Sequence, residues 1–124
     1  MKNTLYILLA ALLLSSCYQQ ERNCKDFKTG KFKFDYEIDG HKKTTVFERT
    51  DKFEIETFEG STDTSSVRWV NDCEYILQKL HPKNMQEQKA VQMKILTTKE
   101  NSYTFEFSIV GDTNKQKGTV TKIN

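Results

Sequence analysis

Few side chains in this sequence are spaced for chemistry. Glu54, Glu56 and Glu59 form a carboxylate cluster of the kind that serves a metal or an acid–base pair, but Glu54 and Glu56 alternate with Phe53 and Ile55. That alternation reads them as the polar, water-facing side of a strand. His41 and His81 both sit at turns, one beside lysine and one beside proline, where an imidazole is solvated. No nucleophile has an obvious base. Asp63 lies in a polar run, expected to be a loop, that lacks calcium-loop spacing, and the glycines are turn glycines without a phosphate-binding arrangement. The expectation is no catalytic residue, no metal ligand set and no cofactor. What remains is a set of aromatic residues expected to point inward: Phe32, Phe34, Tyr36, Trp69, Tyr75, Tyr103, Phe105 and Phe107. Burying a Phe-sized side chain contributes about 1.5–3 kcal/mol, and a small domain needs nearly all of them, so they are expected to fill the interior. In the alternative, Trp69, Tyr75, Tyr36 and Arg49 leave a pocket for one small apolar or amphipathic ligand. Arg49 shares the strand parity of Phe47 and so points inward, whereas Arg68 has the opposite parity to Trp69.

The three cysteines carry the covalent chemistry. Residues 1–17 read MKNTLYILLAALLLSSC: a basic start at Lys2, a ten-residue apolar run from Leu5 to Leu14, two serines and a cysteine. This is the pattern of a secretory signal, short of the roughly 20 residues that a spanning helix needs. Leu14-Ser15-Ser16-Cys17 resembles the lipobox of bacterial lipoproteins at all four positions. The resemblance implies cleavage before Cys17 and attachment of diacylglycerol to its sulfur, with acylation of its amine. Two or three acyl chains anchor a protein stably to a membrane without spanning it. Tyr18 in place of an aspartate points, by the rule for such proteins, to the outer membrane. An ordinary cleaved signal is the alternative. Cys24 and Cys73 remain as an even pair in an oxidising compartment, which predicts a disulfide, with free thiols or metal ligands as the competing reading. Two cysteines without a nearby histidine fall short of a four-ligand zinc site.

Length and charge bound the rest. The chain has 124 residues, and taking away the first 16 leaves 108, enough for one compact domain and no second. Without Lys2 there are 18 basic against 17 acidic side chains, alternating in sign, so nucleic acid is an unfitting partner. The polar stretch 17–30 reads as a lipidated tether, and 31–124 as a single β-domain. KFKFDYEI at 31–38 alternates strictly. Further strands are expected at 43–49, 53–59, 64–70, 73–80, 90–98, 103–109 and 117–123. The pair 64–70 and 73–80 makes a central hairpin that turns at Asn71-Asp72, with Cys73 opening the returning strand. His81 to Lys89 is a lid or connector. Eight short strands about 10 residues apart, with no helical period, predict an all-β antiparallel meander. It closes into a small lipocalin-like barrel, with a two-sheet sandwich as the other arrangement.

The segments NCKDFKTGKFKF, STDTSSVRWVNDCEYILQKLHPKN, KILTT and YTFEFSIVGD resemble a family of short bacterial lipoproteins, over nearly all of the mature chain. Some members carry the label DNA topoisomerase IV. That activity needs a catalytic tyrosine in a DNA-cleaving domain and a separate ATPase subunit, and this chain has neither the length nor a nucleotide-binding motif. The functional expectation is a non-enzymatic, lipid-anchored envelope protein facing the periplasm, acting as a binding module for another envelope protein. The alternative is a carrier or sensor of a small hydrophobic ligand.

Overall fold

The computed structural model describes residues 22–124; the expected signal peptide, the lipid site at Cys17 and the start of the tether lie outside the described residues. Eight strands follow one another: β1 Gly30–Ile38, β2 His41–Arg49, β3 Phe53–Phe58, β4 Ser61–Asn71, β5 Glu74–Lys79, β6 Val91–Lys99, β7 Ser102–Ile109 and β8 Gln116–Lys122. Each pairs antiparallel with its neighbour in sequence, and β8 returns to β1 through Phe32↔Lys122 and Phe34↔Val120. The barrel is therefore closed, which removes the exposed edges that a sandwich of the same strands would keep.

The turns explain the meander. Asp39-Gly40 and Glu59-Gly60 join β1 to β2 and β3 to β4 with positive φ at both residues (52° and 77°, 48° and 81°). A two-residue turn of that hand matches the twist of the strands it links. The loops then divide between two ends. The connections β1–β2, β3–β4, β5–β6 and β7–β8 lie at one end. The first described residues, the other three turns and the C-terminus lie at the opposite end, where Lys31 N–H donates to the Asn124 carbonyl over 2.9 Å.

That second end is sealed. Cys24–Phe27 form one 3-10 turn, and with three residues per turn Cys24 and Phe27 fall on the same side, both buried in the core. The Phe27 ring meets Tyr103 edge-on at 5.1 Å, and Cys24 is disulfide-bonded to Cys73. The stretch expected to be tether up to Gly30 therefore ends earlier: its polar composition hides two apolar residues that plug the barrel. The hairpin also turns one residue later than expected. Asp72 and Cys73 form the turn, and Asn71 Oδ1 accepts the Cys73 N–H over 2.9 Å. A bulge between Trp69 and Asn71 absorbs the shift. The strand expected from Thr64 begins three residues earlier: β4 starts at Ser61 because β3 pairs with Ser61–Ser66 residue by residue.

Inward positions follow parity. Phe32, Phe47, Tyr75, Ile95, Tyr103, Phe105 and Val120 make the core. Gly118 on β8 leaves the space that the rings of Phe105 and Phe34 occupy: a Cβ there would stand 2.7 Å from Phe105 Cζ and 3.0 Å from Phe34 Cε2.

Candidate functional site

Arg49, the last residue of β2, points into the barrel and is 1% exposed. Its Nη1 donates to the Phe27 carbonyl over 2.7 Å, and Nη2 donates to Tyr75 Oη over 2.7 Å and to Tyr103 Oη over 2.9 Å. The guanidinium carbon also lies 4.5 Å from the Tyr75 ring centroid and 4.8 Å from that of Phe32. Such packing of a planar cation on ring faces is favourable when water is excluded. Arg49 thus ties the plug, β5 and β7 together at the closed end. Burial by itself lowers its pKa, but the phenolic oxygens of Tyr75 and Tyr103 and the Glu54 carboxylate outweigh that and leave it raised, so the charge is permanent.

The counter-charge comes from β3, and here the structure reverses the expected strand polarity. Arg49 pairs across the sheet with Glu54, and Phe47 with Glu56, and cross-strand partners share a face. Glu54 and Glu56 therefore point inward with Phe58, while Phe53 and Ile55 are 42% and 36% exposed on the outside. A buried guanidinium needs a carboxylate more than the outer face needs two polar residues, because an unpaired interior charge costs several kcal/mol. Glu54 Oε2 lies 3.7 Å from Arg49 Nε, without a hydrogen bond on either atom. Burial pushes the Glu54 carboxyl above its ordinary range, the Arg49 charge pulls it back, and Glu56 adds to the rise.

Above this network the interior is hollow. A cavity of about 330 Å³ opens at the end away from the disulfide, between the aromatic and aliphatic side chains of β1 and β5–β8 and a polar wall from β2 and β3. Phe34, Tyr36, Phe105 and Phe107 line the apolar side; Thr45, Glu54 and Glu56 line the polar side. Thr45 Oγ1 donates to Glu56 Oε1 over 3.1 Å. Tyr75 and Tyr103, whose hydroxyls hold Arg49, form the floor. Burial raises the Tyr75 pKa well above that of a free phenol, so its hydroxyl stays neutral. At the rim, Lys79 Nζ sits 2.8 Å from both Asp63 Oδ2 and Glu87 Oε1, pinning the connector that follows β5.

The aromatic set therefore does not fill the barrel, and of the four residues expected at a pocket the cavity takes two. Tyr36 and Tyr75 line it. Arg49 lies beneath the floor, and Trp69 packs at the closed end, 4.5 Å from the Tyr75 ring with Lys28 over its face. The parity that pointed Trp69 inward holds, but its depth along β4 places it below the hollow. Glu54, Glu56, Thr45, Leu77 and Met93 also line the cavity, and none of them was among the residues expected at a pocket. Arg68, His41 and His81 are exposed, and no group of three potential metal ligands comes together among the described residues.

Comparison with protein-family models, with curated proteins and with solved structures returns no match.

Proposed function

We propose that this protein is a lipid-anchored envelope protein whose barrel takes up one small amphipathic molecule and performs no chemistry on it. The observation that carries this reading is the open cavity of about 330 Å³, lined on one side by rings and aliphatic chains and on the other by carboxylates. Ligand sites are concave, mostly apolar and about 300–1,000 Å³, with a few polar groups that fix orientation. A monomeric core with no ligand to hold packs to crystal density instead. The lipobox resemblance at Leu14-Ser15-Ser16-Cys17 supports the anchor. Four residues lie between Cys17 and Arg22, and the five steps reach at most about 18 Å, so an anchor at Cys17 sets the sealed end beside the bilayer and the mouth away from it. Ligand would then exchange with the aqueous phase.

A second reading, an interaction module using the outer wall, is favoured by Val46, Phe53 and Ile55, which are exposed on the outer face of β2 and β3. One experiment separates the two. A soluble Cys17→Ala form is secreted into the periplasm of the source bacterium, recovered outside the membrane fraction and weighed by native mass spectrometry without detergent. A ligand-sized excess mass that disappears on denaturation is the expected result. The bare chain, lighter by two hydrogens for the disulfide, would overturn the carrier reading in favour of the outer wall.

A further inference from the structure

The cavity is chemically two-sided, and its charged side is not balanced by cations. Glu56 lines it, is exposed to it, and has no cation within ion-pair distance among the described residues. Its single described hydrogen-bond partner is the Thr45 hydroxyl. The cations on the inward face are occupied elsewhere: Arg49 is held under the floor by Phe27, Tyr75 and Tyr103, Lys79 is clamped between Asp63 and Glu87, and Lys43 bonds Glu59 at 2.9 Å. Glu54 adds a second carboxylate to the same wall. Its buried Oε2 faces Arg49 Nε at 3.7 Å without a hydrogen bond, so the one inward cation beside the pair leaves the carboxylates undersatisfied.

The opposite wall carries the rings of Phe34, Tyr36, Phe105 and Phe107. Aromatic faces and carboxylates together repel anions and attract ammonium groups, the rings through their quadrupoles and the carboxylates through charge-assisted hydrogen bonds. Resting on the carrier reading above, we propose that the ligand is an organic amine: a primary or secondary ammonium held by Glu56, on an apolar body laid against the ring wall. The ammonium donates to Glu56 and reaches toward Glu54. The body replaces water along Phe34, Phe105, Leu77 and Met93.

The test is isothermal titration of the purified soluble domain at neutral pH with three probes of one shape: 4-phenylbutylamine, 4-phenylbutanol and 4-phenylbutyrate. The amine is expected to bind tighter than the alcohol by about tenfold or more, with the carboxylate weakest. Glu56→Gln, a change at an exposed side chain, is expected to bring the amine to the level of the alcohol and leave the alcohol unchanged. The alcohol then reports that the cavity is intact in the variant. Equal binding of alcohol and amine by the wild type overturns the amine assignment and leaves the carrier reading standing. An amine preference that survives Glu56→Gln overturns the role of Glu56. Absence of binding by all three probes removes both readings together.

Discussion

Replacing Arg49 by methionine tests the polar network on which the barrel closes. The substitution keeps an unbranched chain that can pack among the Phe32, Phe47 and Tyr75 rings, and removes the charge and every donor. Three acceptors lose their partner: the Phe27 carbonyl and the Tyr75 and Tyr103 hydroxyls. The two phenols already share a hydrogen bond at 3.5 Å and keep it in the variant, which limits the loss at their hydroxyls. Glu54 is left buried without a counter-charge. Breaking a buried pair by deleting one partner costs about 3–5 kcal/mol, so a loss of about 4 kcal/mol is expected, out of the ~5–15 kcal/mol typical of a domain. In urea unfolding followed by Trp69 fluorescence, with a slope of ~1.5 kcal/mol/M, the midpoint falls by roughly 2.5 M. The loss depends on pH. A carboxyl whose folded pKa lies above its unfolded value binds more protons when folded. Its contribution to stability is complete below the ordinary value of 4.5 and is lost as pH rises through the folded pKa. Without Arg49 to pull it down, that folded pKa climbs further, so the variant is hurt least in acid and most at neutral pH. Adding Glu54→Gln to Arg49→Met should recover about half of the neutral-pH loss. A loss under about 1 kcal/mol, or a loss that Glu54→Gln does not touch, would refute the pairing as the reason β3 turns its carboxylates inward.

Two further outcomes follow from the closed end and the ring wall. Cys24→Ser with Cys73→Ser opens a loop that spans 49 residues of separation and should cost about 4 kcal/mol in the chain-entropy account, read as a urea midpoint shift that reductant reproduces in the wild type. Gly118→Ala places a methyl group against Phe105 and Phe34 and should destabilise by ~1–3 kcal/mol through overpacking; a thermal midpoint equal to the wild type's would mean that both rings can shift freely into the cavity.

How much of this was legible in the sequence varies with the physics behind each feature. Strand count, order and closure were legible because alternation and turn chemistry are local: 31–38 alternates without exception, and Asp39-Gly40 can take the positive φ that a tight hairpin turn needs. The Cys24–Cys73 bridge was legible from an even count and the expectation of an oxidising compartment, and the structure forms it. The inward direction of Arg49 was legible from parity with Phe47. The inward carboxylates were misread, although a signal existed. The structure turns at Asp51-Lys52, with the Thr50 N–H donating to the Phe53 carbonyl and Arg49 opposite Glu54. A two-residue turn there, or two positions away in register, puts Glu54 and Glu56 on the Arg49 face. The apolarity of Phe53 and Ile55 argued the other way, and composition was given more weight than register.

The sequence by itself indicated an eight-stranded antiparallel meander, the Asp39-Gly40 turn and the pairing of Cys24 with Cys73, since each rests on residues close together or on a count. Tertiary structure alone decided which end of the barrel is sealed and which is hollow. Phe27 becomes a plug only when the 3-10 turn lies across the closed end, and Glu54, turned inward by its register with Arg49, is held there beside the guanidinium. Depth along the barrel axis separates Trp69 from the cavity that Tyr36 and Tyr75 line, and strand parity carries no information about depth. Periodicity reports which side a residue takes; only the closed sheet, with its shear, reports how far along the interior that residue stands.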